Sequence, residues 1–212
     1  MKAGTHRRWG GIGAGQDEND KSEKKTKTKE KNTEGDVISL DTHIFFYSEV
    51  DDNPAKDLHR ELLEAAEKIK ARRLKTGMTG GQITLHINSY GGSLLAGFAL
   101  YDVIRTCDVP VVGVVEGACA SAATFILLGC SRRQMHQNSV ILIHQLSSWI
   151  WGKYEELVDE KQNLDRFMSM ITNIYRERSK LPVKKIREVL KHDLWWTAEE
   201  ALDCGLIDEI VD

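Results

Sequence analysis

Ile83-Thr84-Leu85-His86-Ile87-Asn88 leads through Ser89-Tyr90-Gly91-Gly92-Ser93 into the segment from Leu94 to Ile104, and then into the run from Val109 to Val115. The first and last runs are rich in β-branched residues, and the glycine pair between them is a turn signal. Leu95, Phe98, Ala99 and Ile104 are spaced as the core face of a helix. Strand, helix and strand in this order form a β-α-β unit, whose strands run parallel and whose crossover is right-handed. The chain is therefore expected to be an α/β protein.

Working outward, the strand ending at Val115 is followed by Gly117-Ala118-Cys119-Ala120-Ser121-Ala122-Ala123-Thr124 and the helix-like Phe125-Ile126-Leu127-Leu128. Small residues permit close backbone approach, and a serine at a helix start sits among unpaired N–H groups. Read alone, this is a tight turn packed in a core. A third strand, Val140 to Ile143, ends at His144. Gly91-Gly92, Ser121 and His144 thus all follow the C-terminal ends of strands, the edge at which parallel sheets assemble their sites.

Upstream, Val37 to Leu40 and His43 to Tyr47 read as strands. A helix follows, with Asn53 as its cap, Pro54 in its first turn and a stripe of Leu58, Leu62, Ala65, Ala66 and Ile69. Downstream of a loop holding Trp149 and Trp151, residues 153 to about 178 form one long helix. Leu157, Leu164 and Ile171 recur along it at sevenfold spacing, which predicts an interface with another subunit. A short helix runs from Pro182 through Ile186 and Leu190, Thr197-Ala198-Glu199-Glu200 is a capping box, and Leu206-Ile207 and Ile210-Val211 return to strand character.

The 212 residues suit one domain with a polar N-terminal arm over residues 1 to about 35, a segment too poor in apolar residues to order itself. A net charge of −3 offers no general attraction to nucleic acid or to an anionic membrane. Cys107, Cys119, Cys130 and Cys204 contain no CxxC pair, which predicts reduced thiols in a cytoplasmic setting rather than disulfides or a metal site. No signal-peptide pattern opens the chain, and the uncharged run from Gly117 to Cys130 is too short to cross a bilayer.

Serine hydrolysis requires a base, an acid to orient it, and N–H donors aimed at the developing oxyanion. Ser121 and His144 are the candidate nucleophile and base. His43 and His86 lie within strands and His59 on a charged helix face, positions that suit packed or solvated roles. Among the carboxylates, Asp193 stands beside Trp195-Trp196, whose apolar flanks predict shielding from water, whereas Asp159 and Asp165 read as exposed helix charges. The Gly91-Gly92 turn lacks the spacing of a nucleotide-binding loop and suits amide donors facing a carbonyl oxygen, with the amide of Ala122 as the second donor.

These segments resemble the ClpP-type serine peptidases over roughly residues 36 to 212. Ile87 to Ser93 with Ala96-Gly97 and Tyr101-Asp102 is similar to that family's glycine turn and helix, Gly117 to Leu128 to its nucleophile segment, and Ile143-His144-Gln145 to its histidine segment. Asp193, with Ala198 to Ala201 and Gly205 to Asp208, is similar to its acid and closing segment. The resemblance implies a triad of Ser121, His144 and Asp193, with oxyanion donors at the amides of Gly92 and Ala122. It implies a crotonase-like spiral of β-β-α units with a protruding handle helix, heptameric rings stacked as a tetradecamer, and polypeptide substrates fed by an AAA+ unfoldase. ATP then belongs to the partner, and the chain itself needs no cofactor or metal. Departures include Ala122 where methionine is usual, Tyr90 and Leu146 where proline is common, and Ser147 to Trp151 in a region that is usually glycine-rich. The crotonase architecture also hosts acyl-coenzyme A chemistry, and a catalytically silent scaffold subunit would preserve the same outline; both readings stay open at this point.

Overall fold

Eight strands form one mixed sheet in the computed structural model, which describes residues 37–212. The charged arm expected over residues 1 to about 35 lies outside the described residues. β1 (Val37–Leu40) and β2 (His43–Phe46) pair as an antiparallel hairpin. β3 (Ile83–Ser89), β4 (Val111–Ala120), β5 (Arg132–His136) and β8 (Glu209–Val211) then follow β2 in parallel, in that order. β3 alternates strictly, with Ile83, Leu85, Ile87 and Ser89 buried, so the register of this strand is fixed by which face meets the core.

β4 does two jobs. Its first half, Val112 to Val115, pairs with β5, and its second half, Ala118 to Ala120, pairs with β6 (Val140–Leu142). The change of partner occurs at an irregularity, where Ile87 faces Val115 but Ser89 already faces Cys119. Side chains stitch this bend. Asn88 Oδ1 accepts from Ala118 N at 3.0 Å, and Ser139 Oγ accepts from Gly117 N at 2.8 Å while donating to Val115 O at 3.0 Å. Gly117 has φ +101, and a Cβ there would stand 2.9 Å from Asn88 Oδ1, so the bend needs glycine. The small-residue run is therefore mostly strand, and only Ser121 and Ala122 make the turn.

The helices are α1 (Asp52–Thr76), α2 (Leu94–Arg105), α3 (Ala123–Gly129), α4 (Tyr154–Arg178), α5 (Val183–Val189) and α6 (Ala198–Asp203). α1 buries the expected stripe, but its cap is Asp51, two residues before Asn53. Pro54 still lies in the first turn, where no intrahelical donor is needed. In α2 the core face is turned from the expected one: Ala96, Gly97, Phe98, Leu100, Tyr101 and Ile104 are buried, while Leu95 and Ala99 are exposed. Gly97 explains this, because a Cβ there would stand 3.1 Å from Ala122 O, so the small-residue face lies closest to α3. The capping box of α6 forms as expected, with Thr197 Oγ1 accepting from Glu200 N at 3.3 Å and Glu200 Oε2 from Thr197 N at 2.9 Å.

α4 spans 25 residues, yet only Ile171, Thr172 and Tyr175 are buried, all in its C-terminal half. Tyr175 anchors it through a 2.6 Å hydrogen bond with Thr124 Oγ1, and its ring packs 5.8 Å from that of Phe125. The N-terminal half projects from the sheet and leaves Tyr154 and Leu157 open. No helix among the described residues is long and apolar enough to cross a membrane.

Candidate active site

Ser121 follows the last residue of β4 and holds φ +54, a left-handed conformation that costs a non-glycine residue about 1–2 kcal/mol. Its amide completes the ladder to β6 by donating to Leu142 O at 2.9 Å, and its carbonyl accepts from Thr124 Oγ1 at 2.6 Å. The side chain is thereby pushed off the strand end, and its Oγ forms no hydrogen bond with a described residue. Gly91 lies directly behind it. A Cβ on Gly91 would meet Ala120 O at 2.6 Å and Ser121 Cβ at 2.7 Å. Sequence reasoning finds only amide donation in this turn and misses Gly91 as the bed on which Ser121 rests.

His144 stands two residues beyond β6. β7 (Trp195–Trp196) runs antiparallel to β6, with Ile141 facing Trp196 and Leu142 facing Trp195. Continuing that register by two residues sets His144 opposite Asp193. The observed separation, Nδ1 to Oδ1, is 3.4 Å. Sheet pairing thus brings together an acid and an imidazole that lie 49 positions apart in the chain (193 − 144). The expectation that tryptophan flanks shield the acid does not hold: the Asp193 side chain is 80% exposed, because Trp195 points partly to solvent and pairs edge-on with Tyr90 instead. His144 is far less open, at 20%. Burial lowers its pKa from the usual histidine value, and the Asp193 carboxylate opposes that shift only in part. The imidazole is neutral at neutral pH.

Ser121, Ala122, Gly92 and His144 line one cleft of about 90 Å³, closed on the far side by Phe125, Leu146, Leu164, Phe167 and Ile171. That volume suits one side chain and falls well below the roughly 300 Å³ of a typical small-molecule site. The amides of Gly92 and Ala122 donate to no described partner, although the neighbouring amides of Ser93 and Ser121 do. Two unpaired donors therefore share a cleft with an accessible hydroxyl. Cys119, two residues from Ser121, is no rival nucleophile, since complete burial pushes its thiol well above the usual range. His86 has the packed role expected of it, held by Glu116 Oε1 at 2.7 Å and by His43 at 2.9 Å. Among the described residues, no group of three or more candidate ligands is arranged to hold a metal ion.

An open hydroxyl in a strained turn, a neutral imidazole beside a carboxylate, and two free amides on a crotonase-like spiral are the parts of a serine-hydrolase centre. A family model described as Clp protease matches residues 26–212, and the chain belongs to that family. The match begins inside the segment read as an arm. The chain is 34% identical over 184 residues to the ATP-dependent Clp protease proteolytic subunit 1 of Chlamydia caviae, covering 83% of this chain and 92% of that one. It is 33% identical over 172 residues to proteolytic subunit 3 of Rhodococcus jostii, covering 79% and 80%. A ClpP1 mutant structure from Listeria monocytogenes superposes with a TM-score of 0.69 at 25% identity, covering 81% of this chain and 91% of that one.

Proposed function

We propose that this chain hydrolyses peptide bonds in unfolded proteins, with Ser121 as nucleophile, His144 as general base, Asp193 orienting the imidazole, and the amides of Gly92 and Ala122 holding the oxyanion. The observation that carries this reading is the pair of unpaired amides in the same cleft as Ser121 and His144. His144 takes the Ser121 proton as Oγ attacks the carbonyl carbon, returns it to the leaving amine, and then activates the water that resolves the acyl-enzyme. The reading gives the chain no cofactor or metal of its own. Among the described residues no lysine or arginine lines the cleft to neutralise the phosphates of an acyl-coenzyme A. That observation disfavours thioester chemistry.

In this reading, heptameric rings stack as a tetradecamer through the projecting half of α4, and a partner AAA+ ATPase unfolds and feeds the substrate. The exposed apolar residues of α4 and of the loop before it, Trp149 and Trp151 included, support burial against further subunits. Free thiols at all four cysteines fit a reducing, cytoplasmic setting. Native mass spectrometry with a fluorogenic peptide assay on the same sample is expected to find the mass of a tetradecamer co-eluting with hydrolysis. Full activity in a monomer would contradict the assembly part of the proposal.

Asp193→Asn is expected to reduce kcat/KM about tenfold, less than for a fully buried acid because this carboxylate is open to water. It is also expected to move the acid limb of the pH–rate profile. Asp193 raises the His144 pKa against the larger lowering effect of burial, so its neutralisation shifts that limb to lower pH. A shift to higher pH would rule out Asp193 as the partner that orients and charges the imidazole.

A further inference from the structure

We infer that Glu49 sets the substrate preference of the cleft and favours a lysine or arginine side chain beside the scissile bond, an inference that rests on the peptidase reading above. Glu49 is held in place by its neighbour Val50, whose amide donates to Gly91 O at 2.8 Å and whose carbonyl accepts from Ser93 N at 2.6 Å. Its stem crosses the glycine turn, for Glu49 Cγ lies 2.9 Å from where a Cβ on Gly92 would stand. The carboxylate is therefore carried at the cleft mouth, within a side-chain length of the Gly92 amide.

No cation among the described residues competes for that carboxylate. Among the described residues it takes part in no ion pair and accepts no hydrogen bond, unlike the acidic neighbours Asp41, Asp51 and Glu61. Of the other titratable side chains lining the cleft, Tyr175 is held neutral by burial and His144 is neutral at neutral pH, and Asp193 beside His144 adds further negative charge. Leu146, Leu164, Phe167 and Ile171 build an apolar stretch of the remaining wall, and Ser93, Gln145, Ser147 and Ser148 add only uncharged polar groups to it. An apolar wall with one acid at its mouth matches a side chain with an aliphatic stem and a cationic head. Norleucine offers the same stem without the charge, and glutamate offers the wrong charge. Because the pair forms at a water-exposed mouth, its discrimination is about fivefold, and it weakens with added salt.

The test uses the assembled full-length protein and two fluorogenic peptides that differ only in lysine or norleucine before the scissile bond. The lysine-to-norleucine ratio of kcat/KM is expected to be about 5 in the wild type, about 1 in Glu49→Gln, and below 1 in Glu49→Lys. An equal ratio in wild type and Glu49→Gln overturns the inference. Fluorescence anisotropy with the same peptides and Ser121→Ala protein reads the preference without turnover, and the double variant with Glu49→Gln is expected to abolish it. If the wild type cleaves neither peptide while Ser121→Ala binds the lysine peptide better, the peptidase reading fails and the preference stands. If both peptides are cleaved equally, the preference fails and the peptidase reading stands; no preference in either cleavage or binding also overturns it.

Discussion

Ser121→Ala is expected to lower kcat by about six orders of magnitude, the loss typical of removing a serine nucleophile, while leaving the fold intact. The side chain makes no described hydrogen bond, so its removal strands no partner and stability should change by less than about 0.5 kcal/mol. Backbone geometry allows a sharper form of the test. At φ +54 serine and alanine carry the same strain, whereas glycine carries none. Ser121→Gly is therefore expected to be as inactive as Ser121→Ala and about 1 kcal/mol more stable in denaturant unfolding. A gain of stability on loss of activity is the signature of a residue kept in strain by function rather than by packing. Retention of more than a hundredth of wild-type activity in Ser121→Ala would rule out Ser121 as the nucleophile.

Gly91→Ala is expected to cost about a hundredfold in kcat/KM although the new methyl touches no substrate. Gly91 holds φ +93, and its absent Cβ would overlap Ala120 O at 2.6 Å, Ser121 Cβ at 2.7 Å and Ala122 N at 3.0 Å. All three contacts are with the nucleophile turn, one of them with a proposed oxyanion donor. That turn has little room to yield, because Ser121 N is bonded to Leu142 O and Ser121 O to Thr124. Relief of the overlap displaces Oγ and the Ala122 amide together, and a misplacement near 1 Å commonly costs about 100-fold. The variant is also expected to lose about 1–3 kcal/mol of stability from backbone strain. Steady-state kinetics alongside thermal unfolding separates the two losses, and unchanged kcat/KM in a folded Gly91→Ala protein would contradict the packing argument.

The elements that carry apolar periodicity are legible in the sequence. β3 and α1 are visible because burial and spacing agree, α4 is visible by its sevenfold spacing although only Ile171 of that stripe is buried, and the parallel strands follow from the β-α-β order. β5 is not. Arg132-Arg133-Gln134-Met135-His136 has little strand character, and it pairs as a strand because tertiary partners hold it. Arg132 and Gln134 reach Glu209 at 2.6 Å, and Arg133 bonds Asp208 and Gly205 O, all toward β8 or the turn before it. Leu206-Ile207 fails as a strand for the converse reason: both are buried after α6, and pairing begins only at Glu209. Of the candidate site, Ser121, His144 and the two amides are readable from strand ends. Asp193 is singled out by its tryptophan neighbours but assigned mainly through resemblance, because its position depends on the antiparallel pairing of a two-residue strand that no local pattern announces. Glu49 escapes notice because nothing in the sequence shows that the chain after β2 is bound to the glycine turn.

The most direct measurement reacts the native assembly with a peptidyl diphenyl phosphonate and maps the adduct by peptide mass spectrometry. One adduct is expected, on Ser121, formed faster as pH rises through the lowered pKa of His144 and absent from His144→Ala protein. An adduct on another residue, or equal labelling of wild type and Ser121→Ala, would contradict a Ser121–His144 centre.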